Sequence, residues 1–162
     1  MVDEKQPVIC ELLQELERHS HAAHAIWVAA NLEDTLVQIL ALYMPNLSNR
    51  LREKLFRGYG PLSSFSAKID MAYALDLIPD VLRRDLHVIR EIRNSFAHAT
   101  SPQHFDTEEL QSLLMKFSDF DPKKDRLAFY IGKLEQIRTV VRPGLEILTM
   151  VKMLKDGSWR NA

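Results

Sequence analysis

Three side chains near the middle of the chain have the types and spacing to act together: Arg93, Asn94 and His98. They close the segment 82–98, which reads L-R-R-D-L-H-V-I-R-E-I-R-N-S-F-A-H. The guanidinium is a permanent cation, the amide donates and accepts, and the imidazole titrates near neutral pH. On a helix at about 100° per residue, Leu82, Leu86, Ile89 and Phe96 share one narrow stripe, with Ile92 at its edge. Arg93 falls in the middle of that stripe. An unpaired guanidinium inside a fold is very costly, so Arg93 must meet a carboxylate, line a polar pocket or sit at an interface. Asn94 and His98 lie one helical turn apart and share a different face.

A carboxylate for Arg93 is available upstream. Segment 22–43 is apolar over most of its circumference, as in a helix packed on several sides, and Asn31, Asp34, Thr35 and Gln38 form its polar face. Glu33 stands off that face, on the side of Ile26, Ala29, Val37 and Leu40. Two lone charges of opposite sign, each set in apolar helical surface, predict a buried Glu33–Arg93 ion pair at the centre of the molecule.

Other polar groupings carry less. His21 and His24 have a spacing that would allow a metal site. No cysteine pair or carboxylate stands at ligand spacing beside them, so they read as solvent-facing or capping histidines, and no metal or cofactor is expected. Arg50, Arg52, Lys54 and Arg57, against the single acid Glu53, make the segment 47–56 the best local candidate for an anionic partner. A plain solvated helix face ranks above that reading. The loop R-G-Y-G-P-L-S-S could hold a phosphate before a helix N-terminus. It follows a helix and lacks the nucleotide-loop fingerprints, so it reads as an interhelical connection.

These groups must be positioned by helices. Five glycines and almost no alternating β-branched runs make the chain all-α. The periodicity predicts helices over 8–18, 22–43 and 47–56, from a Ser63 or Ser64 cap to 77, and from Pro79 to 99. Two more follow, from Asp106 or Thr107 to 117 and over 126–155, with a kink or break at Pro143 and Gly144. In the last helix Leu127, Ile131, Leu134, Val141, Leu145, Leu148 and Val151 are in phase. The chain of 162 residues should form a single domain, an up-and-down helical bundle with short additional helices. Its ordered core spans 7–156, with frayed tails at 1–6 and 157–162. Segment 22–43 and the Arg93 helix are expected as central neighbours.

Composition excludes several function classes. Hydrophobic residues make up 46% and charged residues 27%, ordinary for a soluble globular protein. Lys and Arg number 21 against 22 Asp and Glu, a net charge of -1, which argues against a protein held to DNA by bulk charge. The single cysteine, Cys10, cannot form an intrachain disulfide, which suits a cytoplasmic protein, and it reads as a small buried hydrophobe. Residues 1–6 are acidic-polar, unlike a signal peptide. The most apolar segment, 22–44, is interrupted by Asn31, Glu33, Asp34 and Gln38, which marks a core helix and not a membrane span.

Two separated motifs carry a resemblance. G-P-L-S-S-F-S-A-K-I-D-M-A-Y-A-L (60–75), followed by L-H-V-I-R-E-I-R-N-S-F-A-H (86–98), closely resembles the signature of the mannitol operon repressor family, and L-E-D-T-L (32–36) looks like that family too. The resemblance implies an all-helical bacterial regulator without a recognised DNA-binding motif. None is visible in this chain either. R-N-S-F-A-H is also similar to the arginine-x4-6-histidine motif of HEPN domains, helical bundles that often dimerise and of which many are metal-independent endoribonucleases. That resemblance implies Arg93 and His98 as a catalytic pair, with Asn94 as the polar residue after the arginine. His98 would take the ribose 2′-OH proton, and Arg93 would stabilise charge on the phosphorane.

Arg93 and His98 are about 140° apart on an ideal helix, which hinders one phosphate from meeting both unless the helix end unwinds or a second subunit contributes. The structural reading therefore ranks above the catalytic one. The expected protein is a non-enzymatic cytoplasmic regulator of the mannitol-repressor type controlling sugar uptake, with protein contacts as an allowed route. A homodimer and a regulatory protein partner are the expected assemblies; DNA or RNA is not indicated by charge, and a membrane is not expected. The alternative is a HEPN-type endoribonuclease or RNA-binding protein using Arg93, Asn94 and His98.

Overall fold

The computed structural model describes residues 5–100 and 103–156, with backbone alone over 5–19 and at 154 and 156. Among the described residues there are six helices and no strand: α1 (Lys5–Tyr43), α2 (Asn49–Phe56), α3 (Phe65–Ala74), α4 (Asp80–His98), α5 (Glu108–Leu114) and α6 (Arg126–Asp156). The expected all-helical single-domain bundle is the fold. The expected frayed tails at 1–6 and 157–162 and the burial of Cys10 lie outside the described residues or side chains.

Serine caps set two of the helix starts. The Ser48 and Ser64 hydroxyls accept the backbone N–H of Leu51 and Ala67, opening α2 and α3. Pro79 opens α4, where a missing N–H is harmless, and Pro45 follows the end of α1. Two expected boundaries do not form. Segments 8–18 and 22–43 are one helix, because nothing between Arg18 and Ala22 forbids helical backbone and neither glycine nor proline interrupts it. Helix α6 likewise runs through Pro143 and Gly144 without ending.

Helix α1 is the spine, with α3, α4 and α6 packed on it. Its inner face, Ala25, Val28, Leu32, Leu36, Ile39 and Leu40, meets Ile69 and Ala72 of α3, Leu86, Ile89 and Ile92 of α4, and Tyr130, Leu134 and Ile137 of α6 in one core. Burying each large side chain is worth about 1.5–3 kcal/mol. Helices α1 and α6 run parallel: Tyr130 meets Ala25, Arg138 meets Asn31, and Leu148 lies beside Leu42. Helix α3 follows the direction of α1, with Lys68 at Glu33 and Met71 near Met44. Helix α4 turns back along α3, so it opposes α1. The segment Ser20–Tyr43 is long and apolar enough to cross a membrane by length and composition, but its inner face is spent on this core.

Candidate functional site

Helix α4 is unbroken from Asp80 to His98, so Arg93 and His98 leave it about 140° apart. His98, the last residue of the helix, is exposed, whereas Arg93 and Asn94 are half-buried. Arg93 lies near the buried phenol of Tyr130. Burial pushes the Tyr130 hydroxyl well above its ordinary pKa, against the opposing effect of the Arg93 charge. The same hydroxyl donates to the carbonyl of Ala25 at 3.2 Å. Phe105 bridges Phe96 and Tyr130, with ring centroids 5.1 and 5.0 Å away, and its backbone N–H donates to Nδ1 of His21 at 3.1 Å. Rings and loop together clamp the end of α4 onto α1 and α6. No ion pair reaches Arg93 among the described residues, and Nε of Arg90, one turn earlier, is buried with no hydrogen-bond partner there.

The expected Glu33–Arg93 pair does not form. Glu33 accepts from Nζ of Lys68, which is only 4% exposed and also donates to the carbonyl of Ser63 at 3.0 Å. Register is the reason. The aromatic contacts put Phe96 level with His21, so Arg93 sits near Ala25. Glu33 lies eight residues further along α1, about 12 Å away, where α3 comes alongside.

Two further ionic groups escaped the sequence reading. Lys133, 2% exposed, donates to Asp85 at 3.0 Å and to Asp119 at 2.5 Å. The rings of Phe117 and Phe129 lie 4.9 and 5.4 Å from its ammonium. Burial raises the Asp119 carboxyl, but hydrogen bonds from Lys133 and Gln136 outweigh that and hold it below its usual 3.8. On the opposite side of α4, Arg83 and His87 both bond Oδ1 of Asp70, at 2.9–3.0 and 3.2 Å. There too burial raises the carboxyl, and the two donors bring it below 3.8. Signals for the first existed: Lys133 follows Tyr130 by three on the buried face of α6, and Asp85 stands on the Leu82–Ile89 stripe.

The side chains of Arg50, Arg52, Lys54 and Arg57 are exposed on and just after α2. Arg57 pairs with Glu53 at 3.3 Å. Arg52 and Arg57 edge a cleft of about 450 Å³ between α1, α2 and α3, with Lys68 and Glu33 in its wall. Asp34 and Glu53 also line that cleft, so its charge is mixed. Among the described residues no group of three or more His, Cys, Asp or Glu could hold a metal ion. His21 and His24 are half-buried, not solvent-facing: His21 holds the Phe105 loop, and His24 Nδ1 lies 2.6 Å from the carbonyl of Ser20.

A chain in the X-ray structure of the MtlR–HPr complex from Escherichia coli has this fold, with a TM-score of 0.50 and 18% identity over 79% of this chain and 87% of that one. No family model and no curated protein matches the chain. The likeness establishes a mannitol-repressor-like fold and does not extend to the Arg93–His98 motif.

Proposed function

We propose that this chain is a non-enzymatic regulator of the mannitol-repressor type, acting in the cytoplasm in transcriptional control of sugar uptake through contacts with another protein. The observation that carries this reading is the fold likeness to a chain solved in complex with HPr, together with the two ordered motifs at 60–75 and 86–98. The near-zero net charge, and a sequence in which no helix-turn-helix with a basic recognition helix is visible, agree with a protein partner better than with direct operator binding. The exposed cations of α2, Arg50 and Lys54 first among them, supply a surface for an acidic partner.

Arg93 and His98 stand about 140° apart on an ideal helix, which weighs against one phosphate meeting both unless the helix end unwinds or a second subunit contributes. Titrating purified chain with HPr by calorimetry is the direct test. Binding weakened by Arg50→Glu with Lys54→Glu supports the proposal. Incubation with total RNA, beside Arg93→Ala and His98→Ala controls, is the counter-test. Cleavage that both substitutions abolish in folded protein would overturn it. Tight, steeply salt-dependent binding to a promoter fragment would instead establish direct repression.

A further inference from the structure

Most ionic side chains of α4 have found a partner. Arg83 and His87 hold Asp70, Arg84 meets Asp80, Asp85 meets Lys133, and Glu91 meets Lys116. Further along the helix that changes. Arg90, Arg93 and Asn94 are half-buried, and no hydrogen bond or ion pair among the described residues reaches their side chains. Nε of Arg90 is enclosed without an acceptor. Donors shielded from water and unmet inside the fold are costly, so two such guanidiniums side by side call for an acceptor from outside the chain.

The pattern along α4 says where that acceptor goes. Arg90 and Asn94 stand seven residues after Arg83 and His87, two turns on and on the same face, so they repeat the pair that grips Asp70. Arg93 is their neighbour on the helix surface. Helix α3 runs antiparallel to α4, so the places facing this second pair lie one to two turns before Asp70, at Ser66 and Ser63. Neither can supply a charge. Ser66 is half-buried with no partner for its hydroxyl among the described residues, and the N–H groups of Phe65 and Ser66 head α3 there without an acceptor. The acids of the surrounding helices are engaged: Glu33 by Lys68, Asp70 by Arg83 and His87, Glu91 by Lys116.

We infer that this junction of α3 and α4 binds a phosphate monoester, its phosphoryl group held by Arg90, Arg93, Asn94 and the hydroxyl of Ser66. Two permanent cations match a group that carries close to two negative charges at neutral pH and offers three acceptor oxygens; a carboxylate would neutralise only one of them. The free N–H groups at the start of α3 add donors of the same sign. A nucleic-acid strand brings a single charge per phosphate and needs cations strung along it, which a chain of net charge -1 does not favour. His98, exposed at the end of α4, takes no part, so the site holds its ligand without cleaving it. The site goes beyond the regulatory reading and does not depend on it.

Inorganic phosphate and glycerol phosphate, titrated into the full chain at constant ionic strength, are the probes. Phosphate should move the Nε–Hε NMR signals of Arg90 and Arg93 and leave that of Arg83, already held by Asp70, in place. Arg90→Gln should weaken binding measured by calorimetry about tenfold or more. Ser66→Glu supplies the missing acid from within the chain. It should abolish phosphate binding and raise the melting temperature, and adding Arg90→Gln should remove that gain, so the test survives a folding defect in Arg90→Gln alone. Glycerol phosphate binding more tightly than a phosphoserine peptide assigns a small-molecule ligand, and the reverse order a phosphorylated protein; either supports the site. No signal shift at tens of millimolar phosphate, equal shifts with acetate, phosphate affinity indifferent to Ser66→Glu, or a single-stranded RNA oligonucleotide binding more tightly than both phosphate esters overturns the proposal.

Discussion

Nζ of Lys133 lies 3.0 Å from the carboxylate of Asp85 inside the junction of α4 and α6, where the lysine is 2% exposed. A buried ammonium persists only if its charge and donors are met, and here Asp119 and two aromatic faces complete the set. The cluster joins three parts of the chain: α4, the loop after α5, and α6. It is therefore a clasp for the α5 side of the bundle.

Removing the cation should be severe. Lys133→Met leaves Asp85 buried without its partner, and the expected loss is about 3–5 kcal/mol in urea unfolding. Adding Asp85→Leu removes the stranded charge, so the double variant should recover part of that loss. Asp119→Asn should cost less than Lys133→Met, since the Asp119 side chain is 43% exposed. Equal stability of Lys133→Met and the parent would show that the clasp contributes nothing.

A second prediction separates the pair that forms from the pair that does not. In double-mutant cycles, Glu33→Gln with Lys68→Met should show a coupling energy in the range of about 0.5–3 kcal/mol. Glu33→Gln with Arg93→Met should be additive to within about 0.5 kcal/mol, since the two groups sit some two helical turns apart along α1. Strong coupling between Glu33 and Arg93 would restore the sequence expectation.

These two cases show what the sequence exposes and what it hides. Helical periodicity correctly put Glu33 and Arg93 off the polar faces of their helices, because burial face depends only on angle along the chain. It could not supply the register of α4 on α1, which is set by the clamp of Phe96, Phe105, His21 and Tyr130 at one end. The cap at Ser64 was legible because it is local. The joining of residues 8–18 to 22–43 was not: the polar stretch Arg18 to His21 imitates a linker, and only the backbone shows it helical. Lys133 and Asp85 each stand on a buried face, but spacing along one helix could not assign the distant partner that neutralises them. Of the motif residues, Arg93 and His98 stand on one unbroken helix, about 140° apart around its axis as the helical spacing predicts.

Acid should loosen two elements at once. Asp70 and Asp119 both titrate below 3.8 in the folded chain, although burial alone would push them upward, because the donors from Arg83, His87, Lys133 and Gln136 prevail. A carboxyl whose folded pKa is depressed releases its proton more readily in the native state, so its contribution is complete above the unfolded value and is lost as pH falls through the folded one. The melting temperature should therefore drop as pH falls from about 4 towards 2, and Asp70→Asn with Asp119→Asn should flatten that slope. The doubly substituted chain showing the parental acid profile would assign the loss to other groups.

The last prediction concerns the two glycines between α2 and α3. Gly58 has a φ of +58°, and a Cβ added there would meet open space. Gly60 has room for none: its Cβ would press on the backbone carbonyls of Lys54 and Leu55. The Leu55 carbonyl also accepts the N–H of Leu62 at 2.8 Å, and this bond seats the loop on α2 before the Ser64 cap. Gly58→Ala pays only backbone strain, about 1–2 kcal/mol. Gly60→Ala must lift the loop or bend α2, and loosening that bond disturbs the Ser63 carbonyl that holds Lys68 beside Glu33. Gly60→Ala should therefore destabilise the chain more than Gly58→Ala and weaken the Glu33–Lys68 coupling, whereas Gly58→Ala should leave that coupling intact. Equal losses for the two glycines, with the coupling unchanged, would mean that the loop does not rest on α2 at Gly60.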